Sequence, residues 1–234
     1  YSFSKAHSAS YAVESFQSLW LKAHYPLEFQ VAVINNFGGF YSTWVYLNEA
    51  RRQGAVVELP CVNHSSENTC IVGKIIYLGF VHVQHLERVT VELVVSERKC
   101  HGPYRSLVDF MERVPVAKEQ LILFIRVGAF RFTGKPKSHL LWEAHLHLKK
   151  SSNREASPSM FSAPSKTFQL PPLNHDPLED AYDEIELLGF PVSMGSFDML
   201  KTRFRGQITA GELMSFRGRK VKMVGDLVTI KYVR

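Results

Sequence analysis

Apolar residues recur at helical spacing early in the chain: Ala12, Phe16, Leu19 and Ala23 fall at offsets 0, 4, 7 and 11 within residues 10–24, one face of an α-helix. Pro26 breaks that run and suits the first turn of a second helix, Leu27 to about Asn35, which Gly38-Gly39 ends. A third helix is expected over Tyr46 to Gln53 with Gly54 as its stop, then an extended Val56-Val57-Glu58-Leu59 closed by Pro60, and a loop at Asn63-His64-Ser65-Ser66. Gly79 to Arg98 reads as a turn followed by a helix, because Val89, Leu93 and Val94 keep helical spacing beyond the polar Gln84-His85. Shorter helices follow at Leu107 to Arg113 and Glu119 to Arg126. A tight turn at Gly128 precedes a helix from Ser138 to Lys149. Residues 151–172 turn to Ser, Pro, Asn and Lys without apolar period and read as a linker. Beyond it come a short acidic helix, Leu178 to Leu188, a turn at Gly189, and strands at Val221 to Val224 and Leu227 to Val233 around a Gly225-Asp226 hairpin.

Composition changes this picture in three ways. With 234 residues and 45% hydrophobic content the chain can bury a sizeable core, which excludes global disorder. The three cysteines, Cys61, Cys70 and Cys100, form no close pair and an odd number, so neither a zinc ribbon nor a disulfide framework is expected. No apolar run has the length of a membrane span and nothing resembles a signal peptide, so no membrane partner and a cytoplasmic location are expected. Tyr1 in place of Met, and the unfinished strand at Tyr232-Val233-Arg234, suggest a piece cut from a longer protein.

The net charge of +6 is unevenly placed. Residues 1–96 hold 6 basic and 7 acidic groups, 97–150 hold 11 and 5, 151–188 hold 2 and 7, and 189–234 hold 9 and 3. Two basic blocks therefore flank an acidic stretch. The first, with its Gly128 turn, permits nucleic-acid binding with the steep salt dependence that phosphate contacts bring, although a solubilising surface accounts for the same charge. Lys5 and His7 lie just before a helix whose start contains Ser8 and Ser10. Exposed amides, a helix dipole and a cation there suit a triphosphate, although an ordinary serine cap beside a solvated lysine accounts for the same spacing. Asp180, Asp183, Glu184 and Glu186 are the nearest carboxylate cluster, expected to be a solvated acidic face rather than a metal site. No short Asp-x-Asp pair occurs, so no catalytic or metal-binding residue is expected within these residues.

The run Phe3-Ser4-Lys5-Ala6-His7-Ser8-Ala9-Ser10-Tyr11-Ala12, then Trp20 to Phe29, resembles the fingers region of the bacterial DNA polymerase III alpha subunit, a family C replicative polymerase. Glu49-Ala50-Arg51-Arg52 with Gly54, and Pro60-Cys61-Val62-Asn63-His64-Ser65, continue the likeness. Gly79 to Arg98, Phe110 to Arg113 and Gly128-Ala129-Phe130 look like its tandem helix-hairpin-helix, and Glu186 to Phe190 with Val192-Ser193 like its connector to an OB-fold.

The resemblance implies an α+β multidomain class: a mostly α-helical fingers and helix-hairpin-helix region followed by the beginning of a small all-β OB-fold. The implied divisions are late fingers at 1–78, tandem helix-hairpin-helix at 79–150, a linker at 151–177, and connector with truncated OB-fold at 178–234. It implies DNA-directed DNA polymerase activity, a nucleotidyltransferase of DNA replication, for the whole protein. Mg2+ would be held by aspartates upstream of Tyr1, and these residues alone would be inactive. Lys5 and His7 would face the incoming deoxynucleoside triphosphate; Arg126, Gly128, Arg131, Lys135 and Lys137 would contact primer-template DNA. Met160 and Phe161, in Ser157-Pro158-Ser159-Met160-Phe161, stand where the family carries its sliding-clamp motif, with Ser157 in place of the usual Gln; other replisome subunits are further implied partners. One departure concerns the first hairpin, where the family's two glycines are replaced by His85 and Glu87, and a carboxylate there repels phosphate. Arg203, Arg205, Arg217, Arg219, Lys220 and Lys222, with Phe204, Phe216 and Tyr232, suit a single-strand groove if a barrel forms. The alternative is a non-catalytic duplex-DNA-binding scaffold derived from such a polymerase; a repair nuclease lacks any nuclease motif here.

Overall fold

The computed structural model describes residues 4–154, 176–228 and 230. The first helix, α1 (Lys5–His24), buries none of its residues. Its apolar stripe is formed but faces solvent: Phe16 is 78% exposed and Leu19 65%. Tyr25 separates it from α2 (Pro26–Asn35), which opens on proline as expected and buries Leu27, Val31 and Ile34. The third helix, α3 (Thr43–Arg52), starts three residues before its apolar pattern, after Ser42.

A small sheet follows. Strand β1 (Val56–Glu58) pairs in parallel with β3 (Ile75–Tyr77), and β3 pairs antiparallel with β2 (Cys70–Val72), giving the order β1-β3-β2. Each strand has three residues, too few for alternation to show, so β2 and β3 have no signature in the sequence. Ile76 at the centre is fully buried against α2 and α3 residues.

The main core gathers around α4 (Arg88–His101), α5 (Leu107–Arg113), α6 (Lys118–Arg126) and α7 (Lys137–Arg154). Its aromatic centre is edge-to-face: Phe80 meets Phe124 at 5.3 Å, and Phe110 meets Tyr104 and Phe130 at 5.0 Å each. Such rings each contribute roughly 2–3 kcal/mol by burial, with further specificity from their quadrupoles. The α7 helix runs on to Arg154, past the expected start of the linker.

The acidic segment forms α8 (Pro177–Leu188), capped by Asp176 and stopped at Gly189, which sits at φ +87°. Leu187, Leu188, Phe190 and Val192 join the same core as α4 to α7. The expected connector is therefore packed into the helical body. The expected strand at 221–224 is not seen among the described residues, and most of the one expected at 227–233 lies outside them. An isolated bridge joins Gly206 to Met223, and the capping box of Thr209 with Glu212 starts a 3-10 stretch at Ala210–Phe216. A strand persists only where a neighbour takes its N–H and C=O groups, and among the described residues the segment 221–224 has a bridged neighbour at one position, Met223.

Candidate nucleic-acid interface

Two hairpins connect helices in the 80–131 region. The first, residues 83–87, enters α4 and places His85 at φ +63°, a left-handed conformation that favours glycine. It is clamped from α6: Gln120 Oε1 accepts from Glu87 N at 2.9 Å, and Gln120 Nε2 donates to His85 O at 3.1 Å. Gln84 N donates to Leu187 O at 2.8 Å, which ties the hairpin to the end of α8. Gln120 is buried among Leu121, Phe124 and Ile125 on the inner face of α6.

This clamp brings the first turn of α6 beside that of α4. No side-chain cap closes either turn, whose N-caps are Ala117 and Glu87. Their leading amides lack intrahelical partners and form two adjacent positive poles. Lys118 and Glu119 are exposed on one, Glu87 and Arg88 on the other. Arg88 is held by Glu67 and Glu92 at 3.1 and 3.0 Å.

The second turn centres on Gly128 at φ +79°. A Cβ there would lie 3.1 Å from Arg131 Nη1 and 3.5 Å from Leu59 Cδ1, so glycine suits both the backbone angle and the close packing. Ala129 O accepts from Val62 N at 3.2 Å, which joins this turn to the loop after β1.

The four cations flanking Gly128, expected to be available for phosphate, are all engaged by carboxylates. Arg126 grips Glu186 (2.6 Å) and Asp183 (2.7 Å), and these bonds raise its pKa further. Lys137 spans Asp180 (2.9 Å) and Asp183 (3.3 Å); Arg131 reaches Glu58 at 2.9 Å; Lys135 reaches Glu143 at 2.8 Å. The acidic helix is thus not a solvated face. Asp180, Asp183 and Glu186 meet α6 and α7, and Glu184 is fully buried, its Oε2 accepting from Val192 N and Ser193 N at 2.6 and 2.9 Å. No group of three metal-binding side chains occurs among the described residues.

Lys5 and His7 lie inside the first turn of α1 rather than before it, because the helix begins directly after Ser4; both are exposed, and His7 packs edge-to-face on Tyr11 at 4.4 Å. Met160 and Phe161 fall outside the described residues.

The loop at 61–66 is fixed rather than open. Arg98 Nη1 donates to Val62 O (2.6 Å) and Ser65 O (2.8 Å), and Asn63 exchanges two bonds with the Tyr104 backbone. Burial pushes the Tyr104 hydroxyl up to about 12 while it donates to Val94 O at 2.8 Å. Cys61, Cys70 and Cys100 are free thiols. The sequence reading missed Gln120, Arg98 and Lys118; the nearest signal was a glutamine on the apolar face of a short helix.

Residues 54–140 match the helix-hairpin-helix motif family. The chain is 34% identical over 133 residues to the DNA polymerase III subunit alpha of Thermus aquaticus, covering 55% of this chain and 11% of that protein. It is 35% identical over 147 residues to an error-prone DNA polymerase of Mycobacterium bovis, 62% of this chain and 14% of that protein. Against the DNA polymerase III subunit alpha of Staphylococcus epidermidis it is 31% identical over 199 residues, 82% of this chain and 19% of the relative. The resemblance read from the residues is borne out, as is the mostly helical class with a small β region. The chain spans less than a fifth of the length of each of these relatives.

Proposed function

We propose that this relative of the polymerase III alpha subunits and error-prone polymerases supplies primer-template contacts to a DNA-directed DNA polymerase whose catalytic, Mg2+-binding carboxylates lie outside these residues. The observation that carries this reading is the pair of side-chain-uncapped helix starts, α4 and α6, held together by Gln120. Adjacent amide poles suit two phosphates of a duplex backbone and read no base, so binding is independent of sequence. The cations around Gly128 are proposed to act through the fold instead: Arg126 and Lys137 fix α8, and Arg131 fixes the turn against β1.

This changes the expected salt response. Phosphate neutralisation by free lysines and arginines gives a steep slope, whereas amide contacts with Lys118 as their nearest unpaired cation give a shallow one. Glu87 and Glu119 oppose phosphate at the same site, so the grip is weak. Fluorescence anisotropy with unrelated blunt duplexes at two salt concentrations tests this. Lys118→Glu should weaken binding about tenfold and Glu119→Gln strengthen it. Unchanged affinity in both would remove the paired helix starts as the contact.

Exposed at the start of α1, Lys5 and His7 are proposed to meet the deoxynucleoside triphosphate. A sliding clamp engaging Met160 and Phe161, other replisome subunits, an OB-fold completed beyond the described bridge, and a cytoplasmic location complete the reading.

A further inference from the structure

Between α2 and α3 the chain presents three aromatic rings to solvent: Phe37 is 64% exposed, Phe40 81% and Tyr41 46%. They do not hang from a loose loop. Asn35 exchanges two 2.8 Å bonds with the Thr69 backbone at the entry. Gly38 N donates to Val33 O at 3.2 Å. Gly39, at φ +94°, lies so close to Tyr46 that an added Cβ would fall 1.8 Å from the phenol oxygen, so any other residue would be strained at this φ and would displace the Tyr46 ring. Phe37 itself sits at φ +48°, a conformation disfavoured for any residue bearing a side chain. Strain at an exposed aromatic residue points to a use for the ring rather than to packing.

Chemistry and position identify the partner. From Phe29 to Asn48 there is no charged residue, in a chain where 21% are charged, so this surface suits an uncharged aromatic face and not a phosphate. Phe40 and Tyr41 pack edge-to-face at 5.2 Å, which leaves a ring face open. The Phe37 ring lies 5.4 Å from the His82 ring, and His82 immediately precedes the first hairpin, residues 83–87. The Phe37 end of this aromatic segment therefore adjoins the hairpin that leads into α4.

We propose that residues 37–41 form a stacking platform for an unpaired nucleobase at the junction where single-stranded DNA leaves the duplex. This deepens the duplex reading and rests on it for the junction, while base stacking on an aromatic side chain is tolerant of sequence and contributes about a tenfold gain in affinity per base. Because the loop is held before binding, little ordering entropy opposes it.

The test measures anisotropy of the 234-residue chain with three probes: a blunt duplex, the same duplex with a 5′ single-stranded overhang, and a dT oligonucleotide. We expect the overhang to bind about tenfold tighter than the blunt duplex, and Phe40→Ala to remove that preference without changing blunt-duplex binding. Phe40→Trp should retain it and Phe40→Leu should not. Equal loss on blunt and overhang probes, no loss, or full rescue by leucine overturns the proposal, the last by showing a generic apolar contact such as a protein partner. The dT arm separates the two readings. If the blunt duplex is not bound, the helix-start reading fails, yet Phe40→Ala must still weaken dT binding; unchanged dT binding sinks the platform.

Discussion

The two left-handed turns of the helix-hairpin-helix region solve one backbone problem by different means. Gly128, at φ +79°, meets the requirement by composition: it has no Cβ, and Leu59 and Arg131 close over the space a side chain would need. His85, at φ +63°, meets it by force, with Gln120 bonded to both sides of the turn and Leu187 holding Gln84. A glycine turn is set locally, and a histidine turn is set by residues more than thirty positions away. The first hairpin should therefore be the one whose geometry fails when a distant residue changes.

Replacing Gln120 by Ala should have the largest effect of three ways to break this contrast. It leaves the Glu87 amide and the His85 carbonyl without their partner in a part-buried setting, a loss of about 2–3 kcal/mol. The midpoint of urea denaturation would drop, and hydrogen exchange at residues 83–88 would accelerate more than at 126–131. Equal acceleration at both turns would show that Gln120 supports the core generally and not the first hairpin.

Gly128→Ala ranks second, at about 1–2 kcal/mol, from the left-handed penalty plus the 3.1 Å approach to Arg131. The guanidinium that meets the added Cβ is held by Nη1 on Gly128 O at 3.0 Å and by Nη2 on Glu58 at 2.9 Å, so adding Glu58→Gln should soften the cost. Denaturation of the single and double variants checks that coupling.

His85→Gly is the smallest and runs the other way, raising stability by roughly 0.5–1 kcal/mol as the strain is relieved, less the greater freedom glycine has when unfolded. A fall in the denaturation midpoint would mean that the exposed imidazole does more for the turn than its backbone angle costs.

Much of the helical frame was legible in the sequence because helix signals are local. Ser106 caps α5, Asp176 caps α8, Pro26 and Pro177 open their helices, and Gly189 closes one. The candidate site was legible in outline, as tandem helices around a turn at Gly128, but its chemistry was not. Arg126, Lys135 and Lys137 read as an available basic cluster because proximity in sequence says nothing of partners. Asp183 is 57 positions from Arg126, and it answers that cation in space. The exposed stripe of α1 shows the converse error: Phe16 and Leu19 have the spacing of a buried face, and spacing does not supply a neighbour.

By itself, then, the sequence determined which segments become helices, that no close cysteine pair or short aspartate pair is present, and that the chain resembles the polymerase alpha subunits. These depend on residue identity and on spacing within one or two turns. Only the tertiary structure decided which charges are neutralised, that three-residue strands find one another across the loops between them, and that Gln120 clamps the first hairpin to α6. Each of those is an interaction whose strength depends on distance and burial rather than on order along the chain, and the acidic α8 was free to become a solvated face or the counter-charge of α6 and α7 until Leu187 and Leu188 anchored it in their core.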